Sequence, residues 1–190
     1  MNIPNILTSI RIILVPFLVL FFYLPIDNSY LISSAIFAFA AATDWFDGYL
    51  ARKLNQTTPF GEFFDPVADK IMVTTALCLL IGNFNSLWIT VPAMIIIGRE
   101  IVISALREWM AELGKRTSVA VCMIGKSKTM AQMGAITFLL LSAKSDDDWT
   151  GFGSWIGYFG VILLYLSSVL TLWSMCVYLK AAWPKLTPVT

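Results

Sequence analysis

Four aspartates, one arginine and three small residues fall on two helix-spaced runs separated by eight residues: Asp44, Asp47, Gly48, Ala51 and Arg52, then Gly61, Asp65 and Asp69. The spacing of 0, +3, +4, +7 and +8 in the first run and of 0, +4 and +8 in the second puts each set along one stripe of a helix. Carboxylates on two facing stripes can bridge a pair of divalent ions. Such a pair binds a pyrophosphate and stabilises both the entering and the leaving oxygen of an in-line displacement. Arg52 adds a planar fork suited to phosphate. Gly48, Ala51 and Gly61 lack bulk, which lets a planar ligand such as a pyrimidine approach the backbone and equally lets two helices pack closely. Ion pairing of the aspartates with Arg52, Lys53 and Lys70 is the plainer use of these charges. It accounts poorly for four carboxylates in apolar surroundings, where ionisable groups default to function.

Those surroundings are set by composition. The chain has 190 residues, of which 58% are apolar and 13% charged, with a mean hydropathy of +0.76. Soluble domains run at about 45 to 50% apolar and about 25% charged, so this is the composition of an integral membrane protein. A carboxylate at the centre of a span costs about 2.5 to 3.5 kcal/mol, and divalent cations with a phosphate-bearing ligand are the natural compensation. Histidine is absent, which leaves oxygen donors and therefore hard cations, Mg²⁺ or Mn²⁺, in preference to zinc. A net charge of +1 with no basic stripe excludes nucleic acid as a partner. Cys78, Cys122 and Cys176 show no paired spacing and read as core thiols.

To position the two stripes the chain needs helices, and apolar runs near the length of a bilayer, about 20 residues, predict six. Their limits are Asn5 to Leu24, Tyr30 to Arg52, Gly61 to Gly82, Leu87 to Met110, Lys126 to Ser142 and Phe152 to Leu179, with turn residues in every break. The expected fold is therefore an all-α integral membrane bundle of six transmembrane helices, a single domain over residues 1–190. Arg11 ahead of an apolar run resembles a signal peptide, but no small-residue cleavage site follows, so a retained first helix is expected. Arg52, Lys53, Lys115, Arg116, Lys126, Lys128, Lys180 and Lys185 all fall on one side if both termini are cytoplasmic. The aspartate stripes then open toward the cytoplasm, and tryptophans 88, 109, 149, 155 and 183 form an interfacial belt.

A second charged set is cationic. Arg99 and Arg107 lie eight residues apart on the fourth span, and Lys126 and Lys128 open the fifth. Together they can form a pocket for a phosphomonoester, which an uncharged alcohol would not need. The plainer reading makes the lysines juxtamembrane anchors and pairs Arg107 with Glu108 or Glu112. It is weakest for Arg99, mid-span beside Glu100.

The eight positions D-x-x-D-G-x-x-A-R, eight residues, then G-x-x-x-D-x-x-x-D are those of Asp44, Asp47, Gly48, Ala51, Arg52, Gly61, Asp65 and Asp69. In these the chain resembles the CDP-alcohol phosphotransferases, membrane enzymes that displace CMP from a CDP-linked lipid or alcohol. The resemblance runs on through the opening Asn2 to Thr8 with Arg11, Thr43 to Gly48, Phe64 to Lys70, Arg99 with Glu100, Ser104 to Arg116, Gly125 with Lys126, Lys128 with Thr129, and Leu170 to Met175. These point to the members that use sn-glycerol 3-phosphate as acceptor.

The resemblance implies a phosphatidyl transferase: CDP-diacylglycerol plus sn-glycerol 3-phosphate give phosphatidylglycerophosphate and CMP, by two-metal-assisted in-line attack on the β-phosphorus. It assigns Asp44, Asp47, Asp65 and Asp69 to two divalent cations, Mg²⁺ or Mn²⁺, with Asp69 also the candidate catalytic base. Asp44, Gly48, Ala51, Arg52 and Gly61 then meet CDP-diacylglycerol. Arg99, Arg107, Lys126 and Lys128, with Asn5 and Thr8, meet glycerol 3-phosphate, Arg11 approaches the same cavity, and a homodimer in the bacterial inner membrane is expected. A sibling transferase using inositol phosphate or an uncharged alcohol, and a divalent-cation channel or carrier, are the alternatives to this reading.

Overall fold

The computed structural model describes residues 3–54, 59–112, 124–143 and 155–186, and among these every regular element is a helix. The six are α1 (Ile3–Tyr23), α2 (Ser29–Leu54), α3 (Pro59–Phe84), α4 (Leu87–Glu112), α5 (Ile124–Ser142) and α6 (Trp155–Leu186). The all-α expectation holds, and the helices start and stop within a few residues of the predicted spans except at the end of α6, which runs on to Leu186. Four helices contain stretches long and apolar enough to cross a membrane: Ile6–Tyr23, Phe63–Phe84, Leu87–Glu112 and Trp155–Lys180. The shorter apolar stretch of α2, Ser29–Asp44, stops at the first aspartate. In α5, Lys126, Lys128 and Gln132 interrupt the first half. The two helices that fall short are thus ones that carry charge into the bundle.

Short connections alternate the helix directions. Between α3 and α4 the chain turns at Asn85, whose φ of 42° is one that asparagine tolerates better than most residues. Its N–H closes α3 on the Ile81 carbonyl at 3.0 Å, and the Ser86 carbonyl then accepts the N–H of Thr90 at 2.9 Å to open α4. Asn83 Nδ2 donates to the Ala143 carbonyl at 2.6 Å, so α3 and α5 finish at the same end of the bundle. Near that end Ser34 Oγ donates to the Thr137 carbonyl at 2.9 Å, tying the start of α2 to the last turns of α5.

The core lies in this half. Leu18, Phe37, Met72, Ala76, Leu77, Leu80, Ile89, Ala93, Ile96, Ile136, Leu139, Leu140 and Leu164 form one buried cluster drawn from all six helices. Helix α6 lies so close to α5 that a Cβ built on Gly160 would stand 2.9 Å from Leu139 Cγ and 3.2 Å from the Leu139 backbone nitrogen; small residues permit such approach. Buried hydroxyls in the helices turn back onto their own chain: Thr43, Ser142, Ser167 and Ser174 each donate to the carbonyl three residues earlier. This gives each of these four hydroxyls an acceptor within its own helix. A smaller cluster of Ile103, Leu106 and Met110 packs against Met175, Tyr178 and Leu179 and joins α4 to α6 at the other end.

The cysteine expectation is corrected. Cys78 and Cys176 are exposed on the outer surfaces of α3 and α6, and Cys122 lies outside the described residues. In a membrane protein the outer face is as apolar as the core, so apolar neighbours in sequence do not distinguish the two. Trp88, Trp109, Trp155 and Trp183 are exposed, as an interfacial belt requires; Trp149 lies outside the described residues.

Candidate active site

Away from the main core, charged side chains meet in two places. The first joins α1, α2 and α3. Arg11, nine residues into α1 and with its side chain only 2% exposed, directs Nη1 to Asp69 Oδ1 on α3 and, at 3.3 Å, to Asp44 Oδ1 on α2. One turn earlier on each helix, Thr8 Oγ1 donates to Asp65 Oδ1. These rungs pair increasing numbers on α1 with increasing numbers on α3, so the two helices run in parallel with their acidic and polar stripes face to face. Pro66 stands inside α3 between the aspartates; having no N–H, it leaves the carbonyl four residues earlier without its helical donor. A small recess beside this centre is lined by Arg11, Phe37, Ala40, Asp44, Asp69 and Met133.

Two of the four predicted carboxylates, Asp44 and Asp69, therefore converge on a single guanidinium nitrogen, and Asp65 lies one turn from Asp69 on the same stripe. Gly61 is buried on α3, a turn before Asp65. Among the described residues no group of three or more acidic, cysteine or histidine side chains converges closely enough to hold a metal ion. The backbone of α2 continues through Asp47, Gly48, Ala51 and Arg52, while the side chains of these four lie outside the described residues. The donor set is one of hard carboxylate oxygens already gathered about a positive charge, the chemistry that suits Mg²⁺ or Mn²⁺.

The second centre joins α3, α4, α5 and α6. Arg99 and Arg107 line one cavity of about 80 Å³ together with Lys70, Glu100, Ser104 and Tyr178. The two arginines, eight residues apart on α4, thus meet at one cavity. Lys128, whose side chain is 5% exposed, reaches this group from α5 by donating from Nζ to Glu100 Oε1 at 3.2 Å. The same oxygen accepts from Arg99 Nη1. Arg99 Nη2 also reaches Ser174 Oγ on α6 at 3.5 Å. Lys70, the residue after Asp69, sits between the two centres, facing the cationic cavity while its neighbour faces the acidic one.

Asn5 and Lys126 lie in helices whose side chains there are outside the described residues. Thr8 and Arg11 are found against the acidic stripe, on Asp65, Asp69 and Asp44. What the sequence reading did not assign is Lys70, Ser104, Ser174 and Tyr178 as cavity or partner residues, and Glu100 as the shared acceptor of two cations. The signal for Ser104 was its place one turn after Glu100. For Ser174 and Tyr178, on a helix more than seventy residues away, there was no local signal.

The chain is similar to known proteins over nearly its whole length. The model of the CDP-alcohol phosphatidyltransferase family matches residues 1–173. A Yersinia pestis (strain Pestoides F) protein named CDP-diacylglycerol–glycerol-3-phosphate 3-phosphatidyltransferase is 54% identical over 186 residues, 98% of this chain and 97% of its own length. Proteins of the same name from Salmonella choleraesuis (strain SC-B67) and Pseudomonas fluorescens are similar to this chain at 55% over 181 residues and 54% over 187 residues. They are covered over 94% and 92% of their lengths, and cover 95% and 98% of this chain.

Proposed function

The chain belongs to the CDP-alcohol phosphatidyltransferase family, and from that premise we propose that it transfers the phosphatidyl group of CDP-diacylglycerol to sn-glycerol 3-phosphate, giving phosphatidylglycerophosphate and CMP. The name that its relatives carry supports this reading. The observation that carries it is a cavity lined by Lys70, Arg99 and Arg107 next to an acidic stripe ending at Asp69. A phosphomonoester acceptor needs the first and a nucleotide-pyrophosphate donor the second.

In the reaction the glycerol 1-oxygen forms a bond to the β-phosphorus, the bond from that phosphorus to the CMP oxygen breaks, and the hydroxyl proton passes to Asp69. The residues that would hold two divalent cations are Asp44, Asp47, Asp65 and Asp69. Such ions, when bound, supply charge neutralisation on the pyrophosphate. Arg52 contacts a phosphate of the donor, and Gly48, Ala51 and Gly61 leave room for the cytidine beside α2 and α3. Arg99, Arg107, Lys126 and Lys128 hold the acceptor phosphate, and Asn5 and Thr8 approach the acceptor from α1, on the acidic side where Thr8 Oγ1 meets Asp65. Arg11 keeps Asp44 and Asp69 together. The diacylglycerol tails stay in lipid, the site faces the cytoplasm of a bacterial inner membrane, and the protein works as a homodimer.

The test is CMP release from CDP-diacylglycerol by purified protein, with and without glycerol 3-phosphate, across a Mg²⁺ and Mn²⁺ titration. CMP release that requires both the acceptor and the metal is expected. Release of equal size with inositol phosphate or with an uncharged alcohol would overturn the acceptor assignment. Metal flux into liposomes in the absence of CDP-lipid would favour a channel.

A further inference from the structure

The cationic cavity contains a carboxylate where an anionic acceptor is expected to bind. Among the residues that line it Glu100 is the single acid, set against Lys70, Arg99 and Arg107. Left free, its charge would repel an incoming phosphate. It is not free: one oxygen, Oε1, accepts from Arg99 Nη1 of its own helix and from Lys128 Nζ of α5.

We propose that Glu100 is a positioning residue for acceptor binding, which fastens Arg99 and Lys128, cations of two different helices, into one preformed phosphate-binding unit. The inference rests on the transferase reading given above and deepens it at the acceptor half of the site. Without an acid between them, two like charges brought from α4 and α5 toward one point would push apart. A lysine on its flexible stem would then need ordering by each incoming ligand. Glu100 does that ordering in advance. The clamp has support on two sides: Ser104 Oγ donates to the Glu100 carbonyl, and Arg99 Nη2 reaches Ser174 Oγ, which itself donates to the Thr171 carbonyl at 2.9 Å. Donors also remain to be used. Among the described residues Arg99 Nε is buried without a hydrogen-bond partner, and a lysine ammonium carries three protons, of which Glu100 takes one.

The experiment is steady-state CMP release by purified wild type, Glu100→Gln and Glu100→Asp, varying each substrate at saturation of the other, with elution volume and Tm recorded for each protein. For Glu100→Gln the KM for glycerol 3-phosphate is expected to rise about tenfold, since a charged hydrogen-bond network is lost. The KM for CDP-diacylglycerol and kcat should stay within about twofold. Glu100→Asp, which keeps the charge on a shorter arm, should give a smaller rise of the same kind, and it carries the same reading if the glutamine variant fails to fold. In a Lys128→Met background the Glu100→Gln change should add less loss than it causes alone, because part of its effect passes through that lysine and the rest through Arg99. An unchanged or lowered KM for glycerol 3-phosphate would overturn the proposal, since the carboxylate would then be a spectator or a competitor. So would parallel changes for both substrates, the mark of a general structural role. Wild-type protein that releases no CMP in response to glycerol 3-phosphate would overturn the transferase reading itself, and this inference with it.

Discussion

The two charged centres are near mirror images. Among the described residues around Arg11, one cation is shared by Asp44 and Asp69, with Asp65 a turn away, so carboxylates outnumber the guanidinium. Around Glu100 a single carboxylate is shared by Arg99 and Lys128, with Arg107 and Lys70 on the same cavity, so cations outnumber the acid. Each uses one ion of the minority sign, buried Arg11 in the first and half-buried Glu100 in the second, to gather several of the other, which meets the cost of bringing like charges together in an apolar bundle. On the proposed reading, the surplus that remains sets what each centre takes: cations at the first, anions at the second. Because Asp69 and Lys70 are consecutive, the two appetites sit side by side, as a transfer between a metal-bound pyrophosphate and a phosphorylated acceptor requires.

Charge removal on the acidic side should have the largest effect. Asp65→Asn should lower turnover by about 10² to 10³, the scale on which a preorganised electrostatic contact counts. CMP release by purified protein at saturating Mg²⁺ reads this, and substantial residual activity would remove Asp65 from the metal set. Charge removal on the cationic side should act on one substrate. Lys126→Ala with Lys128→Ala should raise the KM for glycerol 3-phosphate by about ten- to a hundredfold, with little change for CDP-diacylglycerol; equal effects on both would erase the distinction between the centres.

Smaller changes sharpen the contrast. Arg11→Met should destabilise the metal-free protein by about 1 to 3 kcal/mol, below the value for a fully buried pair because the aspartates are each 34% exposed. Added Mg²⁺ or Mn²⁺ should restore more Tm in this variant than in wild type; if it restores no more, the guanidinium and the metal do not serve the same carboxylates. Gly160→Ala lies in the uncharged half and is the control. It should cost about 1 kcal/mol through its crowding on Leu139 and leave both KM values unaltered.

Much of the fold is legible from apolar runs and turn residues. Helix α4 begins at the predicted Leu87, and α5 ends at the predicted Ser142. Helix α6 continues beyond Leu179 because Lys180 ended the apolar run without ending the helix. That Asp44, Asp65 and Asp69 belong together was legible too, since a helical period of charge inside an apolar segment has few other meanings, while the Asp47 side chain lies outside the described residues. Orientation around each helix was not. Lipid and protein interior are equally apolar, so sequence leaves open whether Cys78 faces one or the other, and it faces out. Nor does local spacing reveal partners on distant helices: that Arg11 would sit on Asp44 and Asp69, or that Glu100 would hold Lys128, depends on how six helices pack.

The Arg11 contact also bears on how the protein is made. The helix that carries this cation leaves the ribosome before either of its counter-ions, and Asp69 lies 58 residues further along. A guanidinium entering hydrocarbon alone is penalised by about 2.5 to 3.5 kcal/mol even on lenient insertion scales. The nascent first hairpin therefore brings Asp44 as a first counter-ion, and the third segment then adds Asp69 on the same guanidinium nitrogen, so the ion cluster is complete only when the leading three helices are together.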